Sequence, residues 1–146
     1  MVDTNVLSAG APTKAKPVAD LNGWMDRNSG QLYLSMITVA EVEDGIAKAR
    51  RRHAFRKADG LVDWLDTILH LYTARILSLD IATARLLGLL SDRARGAGQA
   101  PGLADLAIAS TAQRHGLTVL TRNLRHFQVL GVPALDPFAT LPADVG

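Results

Sequence analysis

The strongest constraint on what this chain can fold into is an alternation. Short apolar runs of strand length, over 32–37, 76–79 and 117–120, are separated by longer stretches in which apolar residues recur every three or four positions. Strands separated by helices return to their sheet by crossovers, which makes the sheet mostly parallel and covers both of its faces. The spacing predicts a helix over 17–28, from Pro17 to Asn28, carrying Val18, Leu21, Trp24 and Met25 and stopped by Asn28-Ser29-Gly30. Thr38 with Glu41 three residues on matches a reciprocal cap, so a second helix is expected to begin at Thr38. A long helical stretch over 53–74 is expected to break near Asp59-Gly60, a further helix to start behind Asp80, and another to run from the Asp105 region to His115. Ala134-Leu135 reads as a weak last strand. With no repeat or internal linker, residues 1–146 are expected to form one α/β domain.

Composition excludes more than it identifies. The chain has no cysteine, so disulfides and thiolate metal sites are out, which suits a reducing compartment. No apolar run approaches the roughly 20 residues of a membrane span and no signal peptide opens the chain, so a cytoplasmic protein with no membrane partner is expected. A net charge of +2 is mild, and the placement of the charges says more.

Two acids stand out by their setting. Asp3 ends a short apolar segment, and Asp105 is followed at three, four and seven residues by Ile108, Ala109 and Ala112, one apolar helix face. A carboxylate drawn out of water needs hydrogen bonds, a cation or a proton. A shared divalent cation facing a phosphate accounts for both acids at once. In a parallel sheet a site forms beyond the carboxyl ends of the strands, where Asp3, Thr38 to Glu41 and Thr121 to Asn123 fall. Each acid also has a plainer role open to it. Asp3 can cap a turn over 4–8, Glu41 can be the return half of the cap at Thr38, and Asp105 can complement a helix dipole. The dipole contributes roughly 0.3–1 kcal/mol, less than the several kcal/mol that burying an unpaired charge costs.

Asp3-Thr4-Asn5, the Thr38-Val39-Ala40-Glu41 segment after its strand, Asp105 within Leu103-Ala104-Asp105-Leu106-Ala107-Ile108-Ala109, and Thr121-Arg122-Asn123-Leu124-Arg125-His126-Phe127 together resemble the PIN-domain family, and within it the VapC/FitB-like toxins of toxin–antitoxin pairs. The resemblance spans essentially the whole chain. It implies a three-layer α/β/α fold with a mostly parallel central sheet and an endoribonuclease dependent on Mg²⁺ or Mn²⁺. Asp3, Glu41 and Asp105 match the family's main acidic, metal-holding positions, and Asn123 matches a fourth catalytic position. Two departures follow: His126 stands where the family often has Asp, and only Met1 and Val2 precede Asp3 where several apolar residues are usual. A start site further upstream is one expectation from the second.

The residue types suit that chemistry. Mg²⁺ takes oxygen ligands and keeps several waters, so one or two direct carboxylates suffice. Crowded carboxylates favour a proton on one of them until a cation arrives. No Ser–His or Cys–His pair stands in a nucleophile's setting, so water is the expected attacker, leaving a 5′-phosphate and a 3′-hydroxyl.

The run from Lys48 to Lys57 contains no acid. It is either a solvated helix face or a phosphate-binding edge, and Arg51, Arg52, Arg122 and Arg125, with Asn5 and Thr121, are the candidate substrate contacts. Aromatic residues, at 5%, are too few for a broad base-stacking platform. Trp64, Leu65, Ile68, Leu69 and Tyr72 crowd one side of the long helical stretch, more apolar surface than a small sheet is expected to cover. The resemblance implies a homodimer, a cognate antitoxin laid across the chain, and contact with DNA only through that antitoxin. The competing reading is a catalytically weak RNA-binding or protein-interaction module, kept open by Asn123 and His126.

Overall fold

A computed structural model describes residues 1–14 and 18–144, so the expected helix start at Pro17 lies outside the described residues. Four two-residue strands form two parallel pairs: β1 (Leu34–Ser35) with β2 (Ile76–Leu77), and β3 (Val119–Leu120) with β4 (Ala134–Leu135). The first three residues join them. Val2 N–H donates to the Tyr33 carbonyl, while Asp3 N–H donates to Leu120 and Leu120 N–H to Met1, at 2.8 to 2.9 Å. The order across the molecule is therefore β2, β1, the Met1 to Asp3 segment, β3, β4. Short as it is, that segment is paired on both sides. Its terminal amine donates to the Thr118 carbonyl at 2.9 Å, and burial lowers its pKa to about 6.

Helices α1 (Thr4–Leu7), α2 (Ala19–Arg27), α3 (Met36–Arg51), α4 (Phe55–Tyr72), α5 (Ile81–Gly96), α6 (Leu103–Arg114) and α7 (Leu124–Gln128) cover the sheet. Val119 packs with Leu90, Ala94, Ile108, Ala112 and Phe127 on one side, and its neighbour Leu120 packs with Val6, Leu21, Trp24, Leu34 and Tyr72 on the other. Adjacent strand residues point to opposite faces, so this division shows the three layers directly. Gly116, at φ 64°, ends α6 in a left-handed turn that lets Leu117 N–H reach the Ala112 carbonyl at 2.8 Å and turns the chain into β3.

Three local expectations need correction. Helix α3 starts at Met36, two residues before Thr38, because the Ser35 hydroxyl accepts from Ile37 N–H at 3.2 Å and takes the capping role. A short apolar run does not by itself distinguish strand from helix, and the cap residue inside it decides. Helix α4 runs unbroken through Asp59-Gly60, since Ala58 and Leu65 are buried against Val42, Ile46 and Ala49 of α3 and hold it in register. The apolar run at 76–79 forms a strand over only two of its four residues, Ile76–Leu77, half-buried at the edge of the sheet.

Most of the apolar stripe on α4 is consumed within the chain. Leu65 and Tyr72 are buried and Trp64, Ile68 and Leu69 pack on the core, while Phe55 and Leu71 stay exposed. The turn between α3 and α4 is made by His53, held at φ 59° with its N–H on the Arg50 carbonyl. None of the described helices is long and apolar enough to cross a membrane.

Candidate active site

Asp3 is the centre of the site. Its side chain is 4% exposed and engaged on both oxygens: Oδ1 accepts from Thr4 N–H at 2.7 Å, and Oδ2 accepts from the Thr121 hydroxyl at 2.7 Å and Asn5 Nδ2 at 3.2 Å. Burial pushes its pKa above the ordinary carboxylate value, and the charges of Asp105 and Glu41 push the same way, against hydrogen bonds from Thr121 and Thr4 that favour the ionised form. The sequence dictates this position. Asp3 caps α1 in extended conformation, so it fills the plainer capping role and still faces the neighbouring acids.

Glu41 comes from the first half of α3. Its side chain is exposed, and the Thr4 hydroxyl donates to its Oε1 at 2.6 Å while standing 3.1 Å from the hydroxyl of fully buried Thr38. Thr4 therefore ties α1 to α3 at the site: its backbone serves Asp3 and its hydroxyl serves Glu41. Sequence reasoning missed this role. The only signal was a hydroxyl residue beside the first acid.

Asp105 sits in the first turn of α6 with its side chain 20% exposed, so it lines the rim rather than the interior. His126, from α7, brings Nδ1 to 2.6 Å from Asp105 Oδ2 and is itself half exposed. The corner where an acid was expected thus holds an imidazole bonded to the neighbouring carboxylate.

The remaining candidates divide by position. Thr121 is fully buried behind Asp3, so its hydroxyl serves the carboxylate and does not face a substrate, contrary to the expected substrate contact. Asn5 braces the same loop, donating to Asp3 and accepting from Arg122 N–H at 3.3 Å. Asn123 is exposed at the start of α7, its N–H on the Thr121 hydroxyl at 2.9 Å. The Arg122 guanidinium stacks over the Phe138 ring, 3.6 Å from its centroid, and Arg125 is exposed beside His126. Arg51 and Arg52 are exposed at the far end of α3.

Among the described residues, no group of three acids or histidines is gathered tightly enough to hold an ion by itself. The donor set still fits a hard cation that keeps much of its water. It is a buried carboxylate with raised proton affinity and two further carboxylates acting on it, with the His126 nitrogen bonded to Asp105 at the rim.

Comparison with known proteins shows the family of the chain. The family profile described as the PIN domain matches residues 1–131. The chain is 34% identical to a VapC ribonuclease of Sinorhizobium fredii over 143 residues, covering 94% of this chain and 96% of that one. It is 34% identical to the toxin FitB of Neisseria gonorrhoeae over 140 residues, covering 94% and 97%. Its fold superposes on the crystal structure of FitAcB from N. gonorrhoeae with a TM-score of 0.79 at 34% identity, covering 94% and 96%.

Proposed function

The chain belongs to the PIN-domain family, and from that premise we propose that it is a metal-dependent endoribonuclease acting as the toxin of a toxin–antitoxin pair. The observation that carries this is Asp3: a buried carboxylate whose proton affinity is raised by burial and by two acids arriving from α3 and α6. Such a cluster costs stability in the empty protein. It becomes useful when a cation and a phosphate occupy it.

Asp3, Glu41 and Asp105 would hold Mg²⁺ or Mn²⁺, which when bound supplies Lewis acidity at the scissile phosphate and a water of lowered pKa. The protein's own residues do the rest. Thr121, Asn5 and Thr4 fix Asp3 in one orientation, and Thr4 fixes Glu41. Asn123 and Arg125 are exposed in a hollow shared with His126, where they can contact the phosphate backbone. Water attack leaves a 5′-phosphate and a 3′-hydroxyl. The partners we propose are RNA as substrate, an antitoxin that is the only link to DNA, and a second copy of the chain, with the cytoplasm as the place of action. The homodimer no longer draws on the α4 stripe. It draws on Ile81 and Leu89 of α5 and Leu103 of the adjoining α6, 68 to 82% exposed.

Purified protein should cleave single-stranded RNA in Mn²⁺ or Mg²⁺ and not in chelator. Asp3→Ala, Glu41→Gln and Asp105→Asn should each abolish that cleavage while circular dichroism stays native. Cleavage retained by the Asp105→Asn protein would sink the proposal in favour of an interaction module.

A further inference from the structure

We infer that the cleft between α3 and α4 is the subsite for the RNA segment flanking the scissile phosphate, with phosphates on Lys48, Arg52 and Lys57 and one base against Leu61 and Trp64. The inference rests on the proposed RNA substrate and adds where that strand lies. The cleft has a volume of about 340 Å³, enough for a nucleotide, and begins at the site itself, since Thr4 and Glu41 form its near end.

Faces of α3 and α4 make its walls, and Thr4, Ser8, Ala11, Thr13 and Lys14 close the third side, Lys14 adding a further cation. On α3, Glu41, Gly45, Lys48 and Arg52 follow one another at spacings of four, three and four, a single stripe leading away from the acids. At 1.5 Å per residue the stripe is roughly 16 Å long, a short stretch of strand. On α4, Lys57, Leu61 and Trp64 face it at the same spacing. The chemistry changes along the way: carboxylate at the reacting end, cations beyond. Among the described residues Lys48, Arg52 and Lys57 take part in no ion pair, whereas their neighbour Arg50 is 3.4 Å from Asp59 and does not line the cleft. Unneutralised cations beside acids that repel a polyanion are what a nuclease needs to keep its strand in place. The floor is apolar, with Val42 and Ala49 beside Leu61 and half-buried Trp64. A single-stranded nucleotide offers both the phosphate and the flat apolar face that such a cleft accepts.

The test reads binding in the Asp105→Asn background, so that nothing is cut. The probe is a short fluorescein-labelled single-stranded oligoribonucleotide. Replacing Lys48, Arg52 and Lys57 by Ala should weaken binding at least about tenfold and reduce the slope of log affinity against log salt by about 2, at roughly 0.7 per lost phosphate contact. Replacing Arg85, Arg95 and Arg114 removes the same charge from outside the cleft and should cost much less; equal losses would overturn the assignment. A Cβ added at Gly45 meets nothing within 4 Å outside its own helix backbone. Gly45→Leu should therefore keep or raise the melting temperature while blocking RNA, and unimpaired binding in that variant counts against the cleft. In a Trp24→Phe protein the remaining Trp64 fluorescence should change on RNA binding, and a silent Trp64 would remove the base contact. If the triple variant binds RNA normally but loses a poly-glutamate peptide, the cleft takes an acidic protein segment and the inference fails. RNA binding here without any cleavage by the parent chain would instead overturn the nuclease proposal alone.

Discussion

Asp3 and Asp80 occupy the same place in the local grammar of the chain. Each stands in extended conformation one residue before a helix and accepts a hydrogen bond from that helix's first turn, Thr4 N–H for Asp3 and Thr83 N–H for Asp80. Their proton affinities nevertheless move apart. The Asp80 carboxyl lies below its ordinary value because Thr83 donates both its N–H and its hydroxyl, with Arg114 and His115 adding in the same direction. The Asp3 carboxyl lies above it because burial and two like charges outweigh equally good hydrogen bonds. One acid strengthens its helix. The other is held in a place where an anion is unwelcome, and that discomfort distinguishes a site from a cap.

The largest difference should appear in activity. Asp3→Asn is expected to lower RNA cleavage by at least about 100-fold, on the scale of losing a group that holds a catalytic metal, whereas Asp80→Asn should leave it within about twofold. Initial rates at saturating Mn²⁺ measure both, and a comparable loss in Asp80→Asn would dissolve the contrast.

Metal linkage comes next. Mn²⁺ at about 100 times its dissociation constant should stabilise the parent by about 2.7 kcal/mol, a shift of several degrees for a chain of this size. The Asp80→Asn protein should show the same shift, and Asp105→Asn should lose most of it. Thermal denaturation with and without Mn²⁺ decides; no shift in any of the three proteins would remove the metal.

A smaller effect sharpens the reason for the contrast. Thr121→Val deletes the buried hydroxyl that favours ionised Asp3, at a cost of about 1–3 kcal/mol at neutral pH. It should also raise the proton affinity of Asp3 further, which a carboxyl-carbon NMR titration would show as a midpoint at higher pH. An unmoved midpoint would mean that Thr121 packs without tuning the acid.

The smallest expected signal lies in stability against pH. For Asp3 the folded proton affinity exceeds the unfolded one, so its contribution is full below the unfolded value of 3.8 and is lost as pH rises through the folded value. For Asp80 the order reverses: the contribution is present above 3.8 and is lost as pH falls through its depressed folded value. Metal-free Asp3→Asn and Asp80→Asn proteins should accordingly deviate from the parent with opposite slopes.

How much of this was legible in the sequence depends on the kind of signal. The alternation of strand and helix, the Asp80 cap and the acids at 3, 41 and 105 were readable because each is a local pattern or a residue type out of place. The start of α3 was misread because Thr38-to-Glu41 spacing satisfies a cap formula that Ser35 fulfils in space. Thr121 reads as substrate-facing in the sequence because its place beyond a strand end is visible there and its burial is not. The bond between His126 and Asp105 joins residues 21 apart on different helices, and no spacing rule announces it.

The sheet order has a consequence for the time at which the chain becomes dangerous. Asp3 and the hydroxyl that holds it, on Thr121, lie 118 residues apart, and the strand that pairs with the Asp3 segment is β3. Long-range parallel pairing is slow to form and cannot begin before both partners exist. A nascent chain that has passed α6 but not β3 carries all three acids without the frame that aligns them. On the proposed function, the polypeptide on the ribosome is harmless until β3 has been made and has paired with the Asp3 segment.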